Sequence, residues 1–151
     1  SEEKVMSSVG RFRVSFHVSH PIFTAERIIS TIALQPRYAR SAGASRITKQ
    51  GKDLGGIYAK TDISFAVSDR VLSDDDVLLS EFVDQAMDRL ALKEIDQIVS
   101  SGGFCFFLIG IYSEGNFLCD FDTRLLSRLA SHGIGMKLDF YGGPENDVCE
   151  Q

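Results

Sequence analysis

The stretch Phe104-Cys105-Phe106-Phe107-Leu108-Ile109-Gly110-Ile111-Tyr112 constrains the fold more than any other part of the chain. It is apolar or aromatic throughout, Gly110 apart, and it follows the pair Gly102-Gly103. A run of that length, too short for an ordinary buried helix, predicts a central strand buried on both faces. Such a strand needs neighbours on either side, and three other segments supply the right period. Residues 11–18 alternate, with Phe12, Val14, Phe16 and Val18 on one side and Arg11, Arg13, Ser15 and His17 on the other. Residues 57–67 alternate as well, placing Ile57, Ala59, Thr61, Ile63, Phe65 and Val67 together. Residues 134–141 close the chain as a last strand with Met136, Leu138 and Phe140 on one face.

Between these strands the period changes to that of a helix. After Thr24, a natural cap, Ala25, Ile28, Ile29, Ile32 and Ala33 form an apolar stripe that Pro36 closes. Ser73-Asp74-Asp75-Asp76 reads as a helix start, the carboxylates lying at the positive end of the dipole. The following stripe runs from Leu78 to Leu90, breaks near Leu92, and resumes through Ile95, Ile98 and Val99. Asp122 caps a further helix lined by Leu125, Leu126, Leu129 and Ala130 and stopped by Gly133. A short extended piece is expected over 116–121. From 37 to 56 no period survives, and the stretch reads as a long basic loop with room for a short strand.

These elements predict an α+β fold: a single domain over 11–142, with a mostly antiparallel sheet and helices on one face. The order suits a ferredoxin-like βαββαβ arrangement extended by a C-terminal αβ unit. Residues 1–10 form a polar leader to this domain and 143–151 a polar, acidic tail.

Charge narrows the function classes. Sixteen Lys and Arg against 21 Asp and Glu leave a net charge of -5, which argues against a generic nucleic-acid binder. No apolar run is long enough to span a membrane, and Ser1-Glu2-Glu3-Lys4 lacks the character of a signal peptide. Cys105, Cys119 and Cys149 are odd in number and widely spaced, so they suit free thiols in a reducing cytoplasm. Cys105 reads as a buried hydrophobe in its strand.

Catalytic patterns are sparse. His17 and His20 are separated by two residues on a strand, where their rings diverge, and His132 suits the negative end of a helix dipole. No metal, cofactor or catalytic set is expected; an enzyme, if one is hidden here, would use His17, His20 or His132 with Cys119. Gly55-Gly56 and Gly102-Gly103 lack the lysine and spacing of a phosphate loop. Two charged groups stand out instead. Arg37, Arg40, Arg46 and Lys49 sit in the glycine-containing basic stretch 37–52 and suit an anion or acidic partner. Asp74, Asp75, Asp76, Glu81 and Asp84 form an acidic group suited to a basic protein partner. Arg11, Arg13 and His17 form a third, smaller set on the polar face of the first strand.

The chain also resembles the domain-of-unknown-function family numbered 4279, over residues 11–142. The resemblance is carried by Phe12-Arg13-Val14-Ser15, by Ala33-Leu34-Gln35-Pro36, and by Gly110-Ile111-Tyr112-Ser113 through Asn116-Phe117. Phe121-Asp122-Thr123 with Leu125-Leu126-Leu129, then Gly133-Ile134 and Leu138-Asp139-Phe140-Tyr141, complete it. The family pattern often carries Trp in the strand that here begins Gly56-Ile57-Tyr58, a residue type this chain lacks. The resemblance brings no catalytic residues. The expected function is that of a non-enzymatic cytoplasmic protein-binding module, an immunity protein that occludes a toxin with a basic surface, without nucleic-acid or membrane partners. The alternative is a small-ligand or anion-binding domain using the basic loop.

Overall fold

The structure is a computed structural model that describes residues 10–142. The expected leader, Gly10 apart, and the expected tail with Cys149 lie outside the described residues. The elements follow in the order β1 (Arg11–His20), α1 (Ala25–Ile29), β2 (Gln35–Arg40), β3 (Ser45–Ile47), β4 (Asp53–Ile57) and β5 (Thr61–Ala66). Then come β6 (Leu72–Ser73), α2 (Leu79–Arg89), α3 (Leu92–Ser100), β7 (Phe104–Tyr112), α4 (Thr123–Ser131) and β8 (Ile134–Tyr141).

The main sheet runs β2-β5-β1-β7-β8, with β6 added beside the start of β1. β1 pairs antiparallel with β5 and β7, and β2 pairs antiparallel with β5. β8 pairs parallel with β7 after the crossover through α4. Without β8 and the small hairpin β3–β4, the order β2-β5-β1-β7 is the ferredoxin-like βαββαβ arrangement, and α4–β8 is its C-terminal extension. The fold is therefore α+β, with a mostly antiparallel sheet.

Alternation decides which face the helices take. Phe12, Val14, Phe16 and Val18 of β1 share a face with Ile63 and Phe65 of β5 and with Cys105, Phe107, Ile109 and Ile111 of β7. All are buried, in one cluster with Ala25 and Ile28 of α1, Val83 and Met87 of α2, Ile95 and Ile98 of α3, and Leu125 and Leu129 of α4. Burying a Phe or Ile side chain contributes about 1.5–3 kcal/mol, so this layer holds most of the stability. Among the described residues, no helix is long and apolar enough to cross a membrane.

Several expectations need correction. β7 is interior to the sheet as expected, but only its odd-numbered face is covered. Phe104 is exposed, and Phe106, Leu108 and Tyr112 are half-buried on a face that carries no helix. Neighbouring side chains shelter them instead, as the stacking of Tyr112 on Tyr141 shows. α1 stops at Ile29 rather than reaching Ala33. The Ser30 hydroxyl donates to the Arg27 carbonyl and the Thr31 hydroxyl to that of Ile28, competing with helix propagation. Pro36, expected to follow a helix, lies inside β2, an edge strand that tolerates a missing N–H.

The stretch read as a basic loop contains β2 and the hairpin β3–β4. Every residue of that hairpin's strands is exposed, so no apolar period marked it. The alternation read over 57–67 crosses a turn: β4 ends at Ile57, and β5 begins at Thr61. The acidic run Asp74–Asp76 is not the first turn of a helix. β6 holds Leu72 and Ser73 against Phe12 and Arg11, and the Asp74 N–H donates to the Gly10 carbonyl. The chain turns there, with the Asp75 N–H donating to Ser73 Oγ, before α2 starts at Leu79 without a side-chain cap. Residues 116–121 form no strand. The break before Leu92, the Asp122 cap (Oδ1 accepting from the Leu125 N–H at 2.9 Å) and β8 match their expectations. In β8, however, Leu138 and Phe140 are exposed at the sheet edge.

Candidate functional site: a basic cleft beside an open sheet face

The acidic residues singled out in the sequence do not gather into one free patch. Asp84 is the counter-ion of α4: Arg124 reaches it at 2.7 Å and Arg128 at 2.8 Å, and Arg128 also pairs with Asp88 at 2.6 Å. Hydrogen bonds from Arg124 and Arg128 hold the Asp84 carboxyl below its ordinary range. Asp74–Asp76 lie in the turn before α2, and Glu81 lies in that helix's first turn, exposed.

The thiols and imidazoles are equally dispersed. Burial pushes the Cys105 thiol up to about 12, and burial with the Asp74 carboxylate raises that of Cys119, so neither is primed as a nucleophile. His132 pairs with Asp96 at 2.8 Å at the end of α4. His20 is buried, its Nδ1 accepting from the backbone N–H groups of Ile22 and Phe23. His17 projects from the opposite side of β1. Among the described residues, no three His, Cys, Asp or Glu side chains converge as a metal site.

The basic residues do converge, with one exception. α1, β2 and the hairpin β3–β4 enclose an open cleft of about 1210 Å³ lined by Arg37, Arg40 and Lys49. Arg46 does not line it. The Arg40 guanidinium sits over the rings of Tyr38 and Tyr58, with centroids 5.4 and 5.5 Å away. Arg37 donates to the Ser68 carbonyl at 3.5 Å. The carboxylate among the lining residues is Glu26, which accepts from Ser41 Oγ at 3.3 Å. No ion pair among the described residues engages Arg37, Arg40 or Lys49.

Around the edge strand lies the uncovered sheet face. Register places Tyr38, Ser64, His17, Phe106 and Gly135 in one row across β2, β5, β1, β7 and β8. The His17 ring stacks on Phe106 at 5.0 Å with an interplanar angle of 4°, and Lys137 Nζ lies 4.0 Å above the same ring. The hydroxyl of Ser15 contacts His17 Nε2 at 3.0 Å. Burial, then the charges of Lys137 and Arg37, hold the His17 pKa below its ordinary value against the opposing pull of Asp62. The ring is therefore neutral at neutral pH. A Ser–His contact suggests nucleophilic catalysis, but the Ser15 hydroxyl is buried beneath the ring and serves it structurally. Between Tyr38 and His17 opens a hollow of about 180 Å³, bordered by Lys60 and Asp62.

Net charge conceals this arrangement. From 35 to 60 the chain carries Arg37, Arg40, Arg46, Lys49, Lys52 and Lys60 against Asp53 alone, while α2 and α3 carry Glu81, Asp84, Asp88, Glu94 and Asp96 against Arg89 and Lys93. Sequence reasoning found the arginines, Tyr38 among them, and His17, but missed Phe106 and Lys137. The signal for Phe106 was the even-numbered, aromatic face of 104–112, which a strand buried on both sides would have hidden. No family model matches the chain, and no match was found among curated proteins or solved structures, so the resemblance to family 4279 rests on its quoted residues alone.

Proposed function

We propose that this chain is a non-catalytic binding module that holds an anionic ligand in the cleft between α1, β2 and the β3–β4 hairpin. One observation carries the reading: Arg37, Arg40 and Lys49 line one concavity, and no ion pair among the described residues engages them, in a chain of net charge -5. Converging cations repel one another, and a bound anion relieves that repulsion while accepting charge-assisted hydrogen bonds.

Titration calorimetry with inorganic phosphate at low ionic strength tests it. Binding is expected to weaken about tenfold in Arg40→Ala and in Arg37→Ala, from the loss of one charge-assisted contact each. Arg46→Ala, which removes an equal charge outside the cleft, is expected to bind nearly as the native chain does. Equal losses at all three positions would reduce the effect to general electrostatics and end the reading.

A second reading is favoured by Asp74, Asp75, Asp76 and Glu81, none of which is in an ion pair among the described residues. In it the acidic pole occludes a basic protein, such as a toxin, with Asp84 excluded from the contact by its own arginines. Charge reversal at Asp75 and Glu81 should then abolish a salt-sensitive association that Arg40→Ala leaves intact.

A further inference from the structure

We propose that the anion is the phosphate of a nucleotide whose base stacks between Tyr38 and His17; this rests on the cleft reading above. Tyr38 lines both the basic cleft and the hollow on the sheet face, so the two spaces meet at one residue. The hollow, at about 180 Å³, is smaller than the roughly 300–1,000 Å³ of a pocket that takes a whole ligand. It suits one ring of a larger molecule.

Its width agrees. Tyr38 and His17 stand on strands separated by β5, two inter-strand spacings or about 10 Å apart. Ser64, between them in register, has its hydroxyl 3.5 Å from His17 Nε2, and the hollow itself opens over Asp62 and Ile63. A planar ring in contact with both sides needs roughly 7–8 Å. His17 is already held upright by stacking on Phe106, so no side chain must be ordered on binding at that wall. The borders are chemically unequal. Lys60 and Asp62 stand at the rim, and Asp62 is the carboxylate that lines the hollow. A carboxylate there accepts from adjacent N–H groups on a ring edge, as guanine presents. On the other side of Tyr38, Arg40 lies over that ring and faces the cleft, in reach of a phosphate joined to the stacked base. Stacking on an aromatic side chain is sequence-tolerant and strong enough to shift affinity about tenfold per base.

The experiment compares guanosine 5′-monophosphate, guanosine and inorganic phosphate by calorimetry against the native chain, His17→Leu, Tyr38→Phe and Arg40→Ala. Thermal melting of each variant reports folding separately; these side chains lie outside the helix-covered core. The monophosphate is expected to bind at least tenfold more tightly than phosphate. His17→Leu should remove that advantage without changing phosphate affinity, and Tyr38→Phe, which keeps the ring, should retain it. A monophosphate that binds no better than phosphate overturns the proposal while leaving the cleft reading standing. Failure of both ligands ends both. Tighter binding of a single-stranded oligonucleotide than of the monophosphate, with a steep salt dependence, also overturns it by making the face a strand platform.

Discussion

Phe16→Ala is expected to lower the free energy of unfolding by about 3–5 kcal/mol, a large part of the roughly 5–15 kcal/mol available to a domain. Phe16 lies on the central strand and is fully buried. Its ring sits 5.0 Å from that of Phe107 and tilted by 59°, the arrangement in which two aromatic rings attract. Its cross-strand partners, Phe65 and Phe107, are also fully buried, so nothing mobile stands ready to fill the space. Urea denaturation followed by far-ultraviolet circular dichroism measures the loss. A change under 1 kcal/mol would mean that the centre of the core lies elsewhere.

His20→Ala is expected to cost roughly 2–4 kcal/mol, because two backbone donors lose their acceptor together. His20 Nδ1 accepts from the N–H groups of Ile22 and Phe23 at 2.9 and 2.8 Å, which leaves Nε2 to donate to Ser101 Oγ at 2.8 Å. Protonating Nδ1 would set a third donor against those two. Burial, then the charge of Arg27, holds the ring's pKa below its ordinary 6.5, and His17 is shifted the same way. A base whose folded pKa is lowered contributes stability that is fully present above its unfolded value and is lost as pH falls through the folded one. The melting temperature should therefore decline as pH is lowered from 6.5, well before Asp84 is protonated below its ordinary 3.8. His20→Ala should flatten that decline. An unchanged slope in the variant would assign the acid sensitivity to other groups.

The same residues show what a sequence can and cannot disclose. β1, α4 and β8 were legible because each has a local signature: alternation in Phe12 to Val18, the Asp122 cap, and a strand after Gly133. The hairpin β3–β4 was not, since it buries nothing and its glycines give no period. The acidic run misled for a different reason. Ser73 has the chemistry of a helix cap, but pairing with Arg11 through β6 holds it extended, and that contact joins residues far apart in the sequence. The cleft was half legible. Four cations in a row of loops and strands announce an anion, yet only the fold decides that Arg37, Arg40 and Lys49 line one cleft and Arg46 does not. Tyr38, His17, Phe106 and Lys137 come from four strands, and their meeting was invisible without the order β2-β5-β1-β7-β8.

That order also governs how the chain becomes a domain in time. The strand nearest the N-terminus lies in the middle of the sheet, and Phe16 must wait for Phe107. During synthesis the apolar edge of Phe12, Val14, Phe16 and Val18 has no partner on one side until residues 61–66 emerge and none on the other until 104–112 do. Contacts between such distant positions slow folding, because loop closure is paid before packing rewards it. The core thus closes only when residues 104–112 join a sheet whose first strand is its axis.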